Sequence, residues 1–168
     1  MVIIRDAVED ELSNIREQRL AAYNEHAPKI PDEHWKVLKQ SILSDRDLQP
    51  GVERMVAEID GEIVGSVALF SPEIKAYEGL LEGELDYPEL RMLAISPQAR
   101  GKGVATALIN ECIQRAKTKG FSSMGLHTAD FMENAIKLYD RLGFERLPQF
   151  DFEPTNDGIV VKAFRITF

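Results

Sequence analysis

The chain reads as an α/β protein, one mixed sheet of about seven strands flanked by about four helices in the order β-α-α-β-β-β-α-β-α-β-β. Three observations predict this. Residues 89–119 pass from a near-continuous apolar run through a glycine turn into a helical pattern. Asp60-Gly61 joins two β-rich runs with the strongest short hairpin signal in the chain. The C-terminal residues alternate as closing strands.

Along the chain, residues 2–5 form a short first strand. A helix follows from residue 8 to about residue 25, where Glu9, Asp10 and Glu11 precede apolar Leu12, Ile15, Leu20 and Ala22, with the carboxylates at the favourable end of the helix dipole. The stretch HAPKIP, residues 26–31, breaks it. A second helix starts near Asp32 with Trp35, Leu38, Ile42 and Leu43 on its inner face, and ends before Pro50 and Gly51. The hairpin strands cover residues 52–59 and 62–70. Residues 71–88 lack periodicity and carry Glu73, Glu78, Glu82, Glu84 and Asp86 against Lys75, the mark of a long irregular loop. Beyond the central helix, residues 122–128 form a strand. Asp130 and Glu133 make a capping box for a helix over residues 131–142 that ends at Gly143. Residues 144–147 and 159–167 are the last two strands, paired across the loop PQFDFEPTND.

A length of 168 residues with 44% hydrophobic and 29% charged residues suits one domain over residues 1–168. The net charge of −8, with no local cluster of Lys and Arg, argues against a nucleic-acid binder. The lone Cys112 lies on an apolar helix stripe and reads as a packing residue. No apolar run approaches the ~20 residues of a membrane span, so a cytoplasmic protein with no membrane partner is expected. Nothing points to a metal site. Monomer and homodimer both stay open.

The most informative stretch is residues 89–119. Leu90, Met92, Leu93, Ala94 and Ile95 form a buried strand that Pro97 stops; QARGKG turns the chain; Val104, Ala105, Leu108, Ile109, Cys112, Ile113 and Ala116 then recur on one helix face. The first amides of a helix have no internal partner and carry the positive end of its dipole. Gly101 and Gly103 let the backbone turn and an anion approach the N–H groups of Arg100, Gly101, Lys102, Gly103, Val104 and Ala105, with Arg100 and Lys102 adding charge. A Walker loop does not fit, because no glycine stands five residues before Gly101. A dinucleotide fingerprint fits weakly, because Thr106 stands where a third small residue belongs and the loop lies past the middle of the chain.

Gln98, Gly101 and Gly103, following Glu89, Leu90, Leu93 and Ile95 in the pattern E-L-x-x-L-x-I, resemble the acetyl-coenzyme A loop of the GNAT superfamily of N-acetyltransferases. Residues 134–144, NAIKLYDRLGF, are similar to that superfamily's second signature, with Ala135 directly after the asparagine as a departure. The resemblance implies the GNAT fold, a largely antiparallel sheet in which the strand before the loop and the strand after the next helix splay apart. The pantetheine arm would lie in that gap.

It further implies acetyl-coenzyme A as co-substrate and direct attack on its thioester by an amine acceptor, a small amine before a protein. Main-chain groups of Leu93, Ala94 and Ile95 would hold pantetheine and the acetyl oxygen, residues 98–105 (Ala99 among them) the diphosphate, and Asn134 the coenzyme near its pantetheine or phosphates. Tyr139 would protonate the leaving thiolate. An alkyl amine with a pKa of about 10.4 is mostly protonated at neutral pH, and holding it neutral costs about 4 to 5 kcal/mol, so a base is useful. Glu89 stands where many GNAT enzymes keep one; Glu84, Asp86 and His127 are alternatives. Around the acceptor, Glu25, Asp32, Glu33, Asp151, Glu153 and Asp157 suggest a cationic or amine substrate. A coenzyme-binding or sensor domain without chemistry is the competing reading; a nucleotide-dependent enzyme using the same loop is weaker.

Overall fold

Asp60 and Gly61 take φ of 52° and 82°, the two left-handed residues of a type I′ turn. They join β2 (Val52–Ile59) to β3 (Glu62–Phe70), with Ile59 opposite Glu62. Around this hairpin the computed structural model, which describes residues 1–74 and 86–168, builds a seven-stranded sheet. Its other strands are β1 (Ile3–Asp6), β4 (Glu89–Ile95), β5 (Ser123–Ala129), β6 (Glu145–Arg146) and β7 (Val161–Thr167), in the order β1-β2-β3-β4-β5-β7-β6. Every neighbouring pair is antiparallel except β4 and β5. The helices are α1 (Leu12–Tyr23), α2 (Asp32–Ile42), α3 (Val104–Thr118) and α4 (Glu133–Arg141). Fold class and element order are as the sequence predicts.

The core lies between β2, β3 and β5 and the apolar stripe of α3. Val104, Leu108, Ile109, Cys112 and Ala116 are all buried there, each large side chain contributing roughly 1.5–3 kcal/mol. The helix sits so close to β3 that a Cβ on Gly65 would meet Val104 Cγ1 at 2.9 Å and Leu108 Cδ1 at 3.1 Å. Burial pushes the Cys112 thiol up to about 12, which suits its packing role.

Four local expectations change. The acids at residues 9–11 form a 3₁₀ turn before α1. There the Glu11 carboxylate accepts from the Val8 N–H at 2.9 Å and from Arg5 at 2.6 Å. Helix α2 buries His34 and Ile42 while Leu43 is exposed and Trp35 only half-buried. The stripe is set by His34, whose Nδ1 lies 2.9 Å from both Asp157 Oδ2 and Thr155 Oγ1 and anchors α2 to the loop before β7. Asp130 does not cap α4. Its carboxylate accepts from the Val160 N–H at 3.1 Å and its own N–H donates to Val160 O at 2.9 Å, so it extends the pairing of β5 with the chain leading into β7, and α4 starts at Glu133 without a side-chain cap. The strand expected over residues 144–147 shrinks to Glu145–Arg146, because Phe144 turns into the core.

Most of the acid-rich segment, including Glu78, Glu82 and Glu84, lies outside the described residues. At its described end Tyr87 is buried over Gly125, where a Cβ would meet Tyr87 Cε2 at 2.5 Å. Among the described residues no helix is long and apolar enough to cross a membrane.

Candidate active site

Strands β4 and β5 pair at one position, Glu89 with Gly125, reinforced by the Gly125 N–H donating to Pro88 O at 2.9 Å. Beyond it they part. On its other side β4 stays paired with β3, but its register slips: Ser66 faces Ala94 while Ala68 faces Arg91, so Met92 and Leu93 together oppose Val67. This is a β-bulge, and Met92 takes it at φ 56°. A left-handed conformation in a residue with a long side chain costs about 1–3 kcal/mol, and surrounding contacts hold it in place. The Tyr23 hydroxyl donates to Leu93 O at 2.8 Å and Gln18 Nε2 to Ala94 O at 3.1 Å. Gln18 in turn accepts from Ser66 Oγ at 2.7 Å. Desolvation pushes the Tyr23 phenol up to about 12, so it remains a donor.

At the end of β4 a 3₁₀ turn, Pro97–Ala99, leads into Gly101 and Gly103 at φ 77° and 78°. A Cβ at either glycine meets nothing within 4 Å, so backbone angle and close approach, not crowding, demand glycine here. Ala107 is the first residue to bond back, to Gly103 O at 3.0 Å, and no side chain caps the helix. Among the described residues, the N–H groups of residues 101–106 thus have no acceptor. Arg100 reaches backward instead, to Glu25 Oε2 at 2.5 Å and Ala22 O at 3.3 Å, and holds the Glu25 carboxyl below its ordinary range. Gln98 and Lys102 are exposed and stand outside the cleft wall.

The gap opens into a cleft of about 1340 Å³. Leu93, Ala94 and Ile95 line it from β4; Ala99, Arg100, Gly101, Gly103, Val104 and Ala105 line it from the loop and α3; Asn134 and Tyr139 line it from α4. Tyr139 is buried, edge-on to Phe144 at 5.6 Å between ring centres. His127 lines the cleft from β5, and Glu89 stands behind it, buried. His127 Nδ1 lies 2.9 Å from Glu89 Oε2, and Nε2 lies 3.1 Å from the carbonyl of Phe150. A carbonyl only accepts, so Nε2 carries a hydrogen. Asp86 is exposed at the foot of β4, and Glu84 lies outside the described residues.

Residues 12–144 match the model of the Acetyltransferase (GNAT) family. The chain belongs to that family. The N-acetyltransferase YjgM of Escherichia coli K12, itself uncharacterized, is 36% identical over 99 residues, covering 59% of this chain and 54% of its own. The N-acetylaspartate synthetase of Xenopus tropicalis is 34% identical over 126 residues, covering 73% and 43%. The chain therefore spans about half the length of the curated relatives it matches. In fold it resembles the PaiA N-acetyltransferase of Thermoplasma acidophilum, solved in complex with coenzyme A, with a TM-score of 0.71 at 16% identity over 100% of this chain and 99% of that one.

Within this GNAT frame, the acids expected around the acceptor are mostly elsewhere. Of the six, only Glu25 lines the cleft, and Arg100 holds it. Asp157 turns to Thr155 and His34 and is lowered to about 2, chiefly by the Thr155 hydroxyl. Asp151 pairs with Arg146 at 2.7 Å, Glu153 accepts from the Gly158 N–H at 3.3 Å, and Asp32 and Glu33 are exposed outside the wall. Their place is taken by residues that no sequence pattern singles out, among them Arg46, Arg91 and Phe131, the last flanked by the rings of His26 and His34 at 5.3 and 5.8 Å. No local pattern marks them, because three separate segments bring them together.

Proposed function

We propose that this GNAT protein transfers an acetyl group from acetyl-coenzyme A to a primary amine by direct attack within a ternary complex. One observation carries the reading: open main-chain donors at the start of α3 lie at one end of a cleft whose middle runs between the parted strands β4 and β5. The donors and the helix dipole suit a diphosphate, and the exposed strand edge suits the pantetheine amides by β-addition. The fit to coenzyme A is supported by the glycines, whose missing Cβ atoms leave that approach clear. When bound, acetyl-coenzyme A supplies the activated thioester.

The Glu89–His127 pair is the base. The Glu89 carboxylate takes up the proton released as the acceptor's nitrogen bonds to the acetyl carbon, and His127, with Nδ1 2.9 Å from Oε2, holds that carboxylate in place. Across the cleft Tyr139 donates its phenolic proton to the sulfur that leaves. Asn134, in the first turn of α4, contributes a polar contact to the coenzyme. The relative named for N-acetylaspartate carries its acetyl group on an amine, which supports an amine acceptor here.

Calorimetry with coenzyme A, then thiol release from acetyl-coenzyme A with amine acceptors, tests the reading. Binding with no thiol release on any acceptor would identify a coenzyme sensor; absence of binding would remove the reading altogether.

A further inference from the structure

We infer that Gln18 is a positioning residue for the coenzyme: from α1 it aims and strengthens the Ile95 N–H, the main-chain donor that takes an amide carbonyl of the pantetheine arm. The inference rests on the coenzyme reading above and names the side chain on which the strand edge depends.

The ladder between β3 and β4 fixes which way this donor faces. Ser96 donates its N–H to Val64 O at 2.9 Å, while Ser66 lies opposite Ala94 and Gly65 opposite Ile95. Main-chain groups in an antiparallel ladder face the same neighbour at every second residue, so Ser96 and Ala94 face β3 and Ile95 faces the gap. Ile95 also lines the cleft. The peptide joining Ala94 to Ile95 is trans, and in a planar trans peptide the carbonyl and the N–H point in opposite directions. Whatever holds Ala94 O therefore sets the direction of the Ile95 N–H.

Gln18 holds Ala94 O. Its Nε2 donates there at 3.1 Å and to Ser96 Oγ at 3.3 Å, while its Oε1 accepts from Ser66 Oγ at 2.7 Å. A main-chain carbonyl only accepts, so the amide nitrogen must be the atom that faces it. Ser66 and Ser96 are buried, and in such surroundings linked hydrogen bonds polarise one another. The bond from Gln18 draws electron density toward Ala94 O and makes the N–H of the same peptide a stronger donor. Gln18 is not part of the cleft wall, so it acts through the peptide and not by contact.

The bulge explains why this peptide needs a second hold. The chain arrives at Ala94 straight from the point where Met92 and Leu93 together oppose Val67, so regular pairing continues from it in one direction only. Gln18 steadies the bulged end, beside the Tyr23 hydroxyl on Leu93 O at 2.8 Å.

The test is calorimetry of the whole chain with coenzyme A and with adenosine 3′,5′-bisphosphate, which keeps the nucleotide end and lacks the pantetheine. Wild type should bind coenzyme A at least tenfold more tightly. Gln18→Leu should weaken coenzyme A about fivefold, the size of one hydrogen bond. Gln18→Glu sets a carboxylate against Ala94 O and should weaken it tenfold or more, while the bisphosphate changes less than twofold in both variants. Ser66→Ala loosens Gln18 without removing its donor, should fall between wild type and Gln18→Leu, and decides the matter if the Gln18 variants fail to fold. In proton NMR the Ile95 amide should move downfield when coenzyme A is added, and in the empty Gln18→Leu variant it should lie upfield of its wild-type position. A side chain that merely anchors α1 would change both affinities alike or neither, and either result overturns the inference. So does an Ile95 amide that coenzyme A leaves unmoved, or a wild type that binds both ligands equally; the nucleotide end of the site then still stands. A wild type that binds neither ligand overturns the coenzyme reading as well.

Discussion

The two ends of the cleft are built differently. At the end proposed for the coenzyme, contiguous residues of one strand, one turn and one helix present main-chain donors, and two glycines at positive φ give them their shape. At the other end the wall comes from α1, α2, the start of β4, β5 and the turn after β5, and side chains make it: Tyr23, His34, Arg91, Phe131 and His127. Main chain offers the same donors whatever the side chains are, so the first end belongs to a motif. A side-chain wall is particular to its chain, so under the proposed reading selectivity belongs there.

Changes at the coenzyme end should have the larger effects. Gly103→Glu puts a carboxylate where phosphate belongs and a Cβ at φ 78°; coenzyme A affinity should fall more than about 100-fold, with a loss of folding stability of about 1–2 kcal/mol from the left-handed angle. Isothermal calorimetry and thermal unfolding check the two effects separately, and undiminished affinity would mean that the cofactor lies elsewhere. Tyr139→Phe keeps the buried ring and removes only the hydroxyl; kcat should drop by roughly 10²-fold or more, well beyond any change in KM. An unchanged kcat would assign the thiolate's proton to water or another donor.

At the acceptor end the framework can be broken without touching the chemistry. Arg19 and Asp47 form a buried pair at 2.8 Å that ties α1 to the turn before β2, and among the described residues no acceptor meets Arg19 Nε or Nη2. Asp47→Ala leaves that guanidinium without its counter-charge and should cost about 3–5 kcal/mol of unfolding free energy, read by urea denaturation. The smallest effect belongs to the contact that joins the ends. Glu25→Gln releases the exposed Arg100, and coenzyme A should bind up to a few-fold more tightly, in keeping with about 0.2–1 kcal/mol for a surface ion pair. Weaker binding would mean that Glu25 holds Arg100 in the posture the ligand needs.

Acid should also weaken the fold through the Arg5–Glu11 clamp. The Glu11 carboxyl is lowered from 4.5 to about 2, chiefly by its hydrogen bonds from Arg5. Its folded-state value lies below the unfolded one, so the contribution is complete above 4.5 and disappears as pH falls toward 2. Thermal unfolding over that window should be steeper in pH for the wild type than for Glu11→Gln.

The same contrast governs what could be read from the letters. The hairpin at Asp60-Gly61, the α3 stripe and the loop glycines were legible because each depends on neighbours a few residues away. The face of α2 was not, since His34 takes its partners from Thr155 and Asp157, more than a hundred residues on. Asp130 and Glu133 spell a capping box, yet Asp130 has a stronger offer from Val160. Met92 is a residue type with no tendency toward positive φ, so nothing in its neighbourhood signals the bulge. His127 stood among several candidate bases, and only the parallel register of β4 on β5 brings its ring to Glu89.

The single paired position between β4 and β5 divides the sheet into a leaf of β1 to β4 and a leaf of β5 to β7. A guest in the seam supplies the cross-links that a continuous ladder would have had. Heat or denaturant should then loosen the two leaves separately in the empty protein and together in the filled one, so that the width of the melting transition reports occupancy before any turnover is measured.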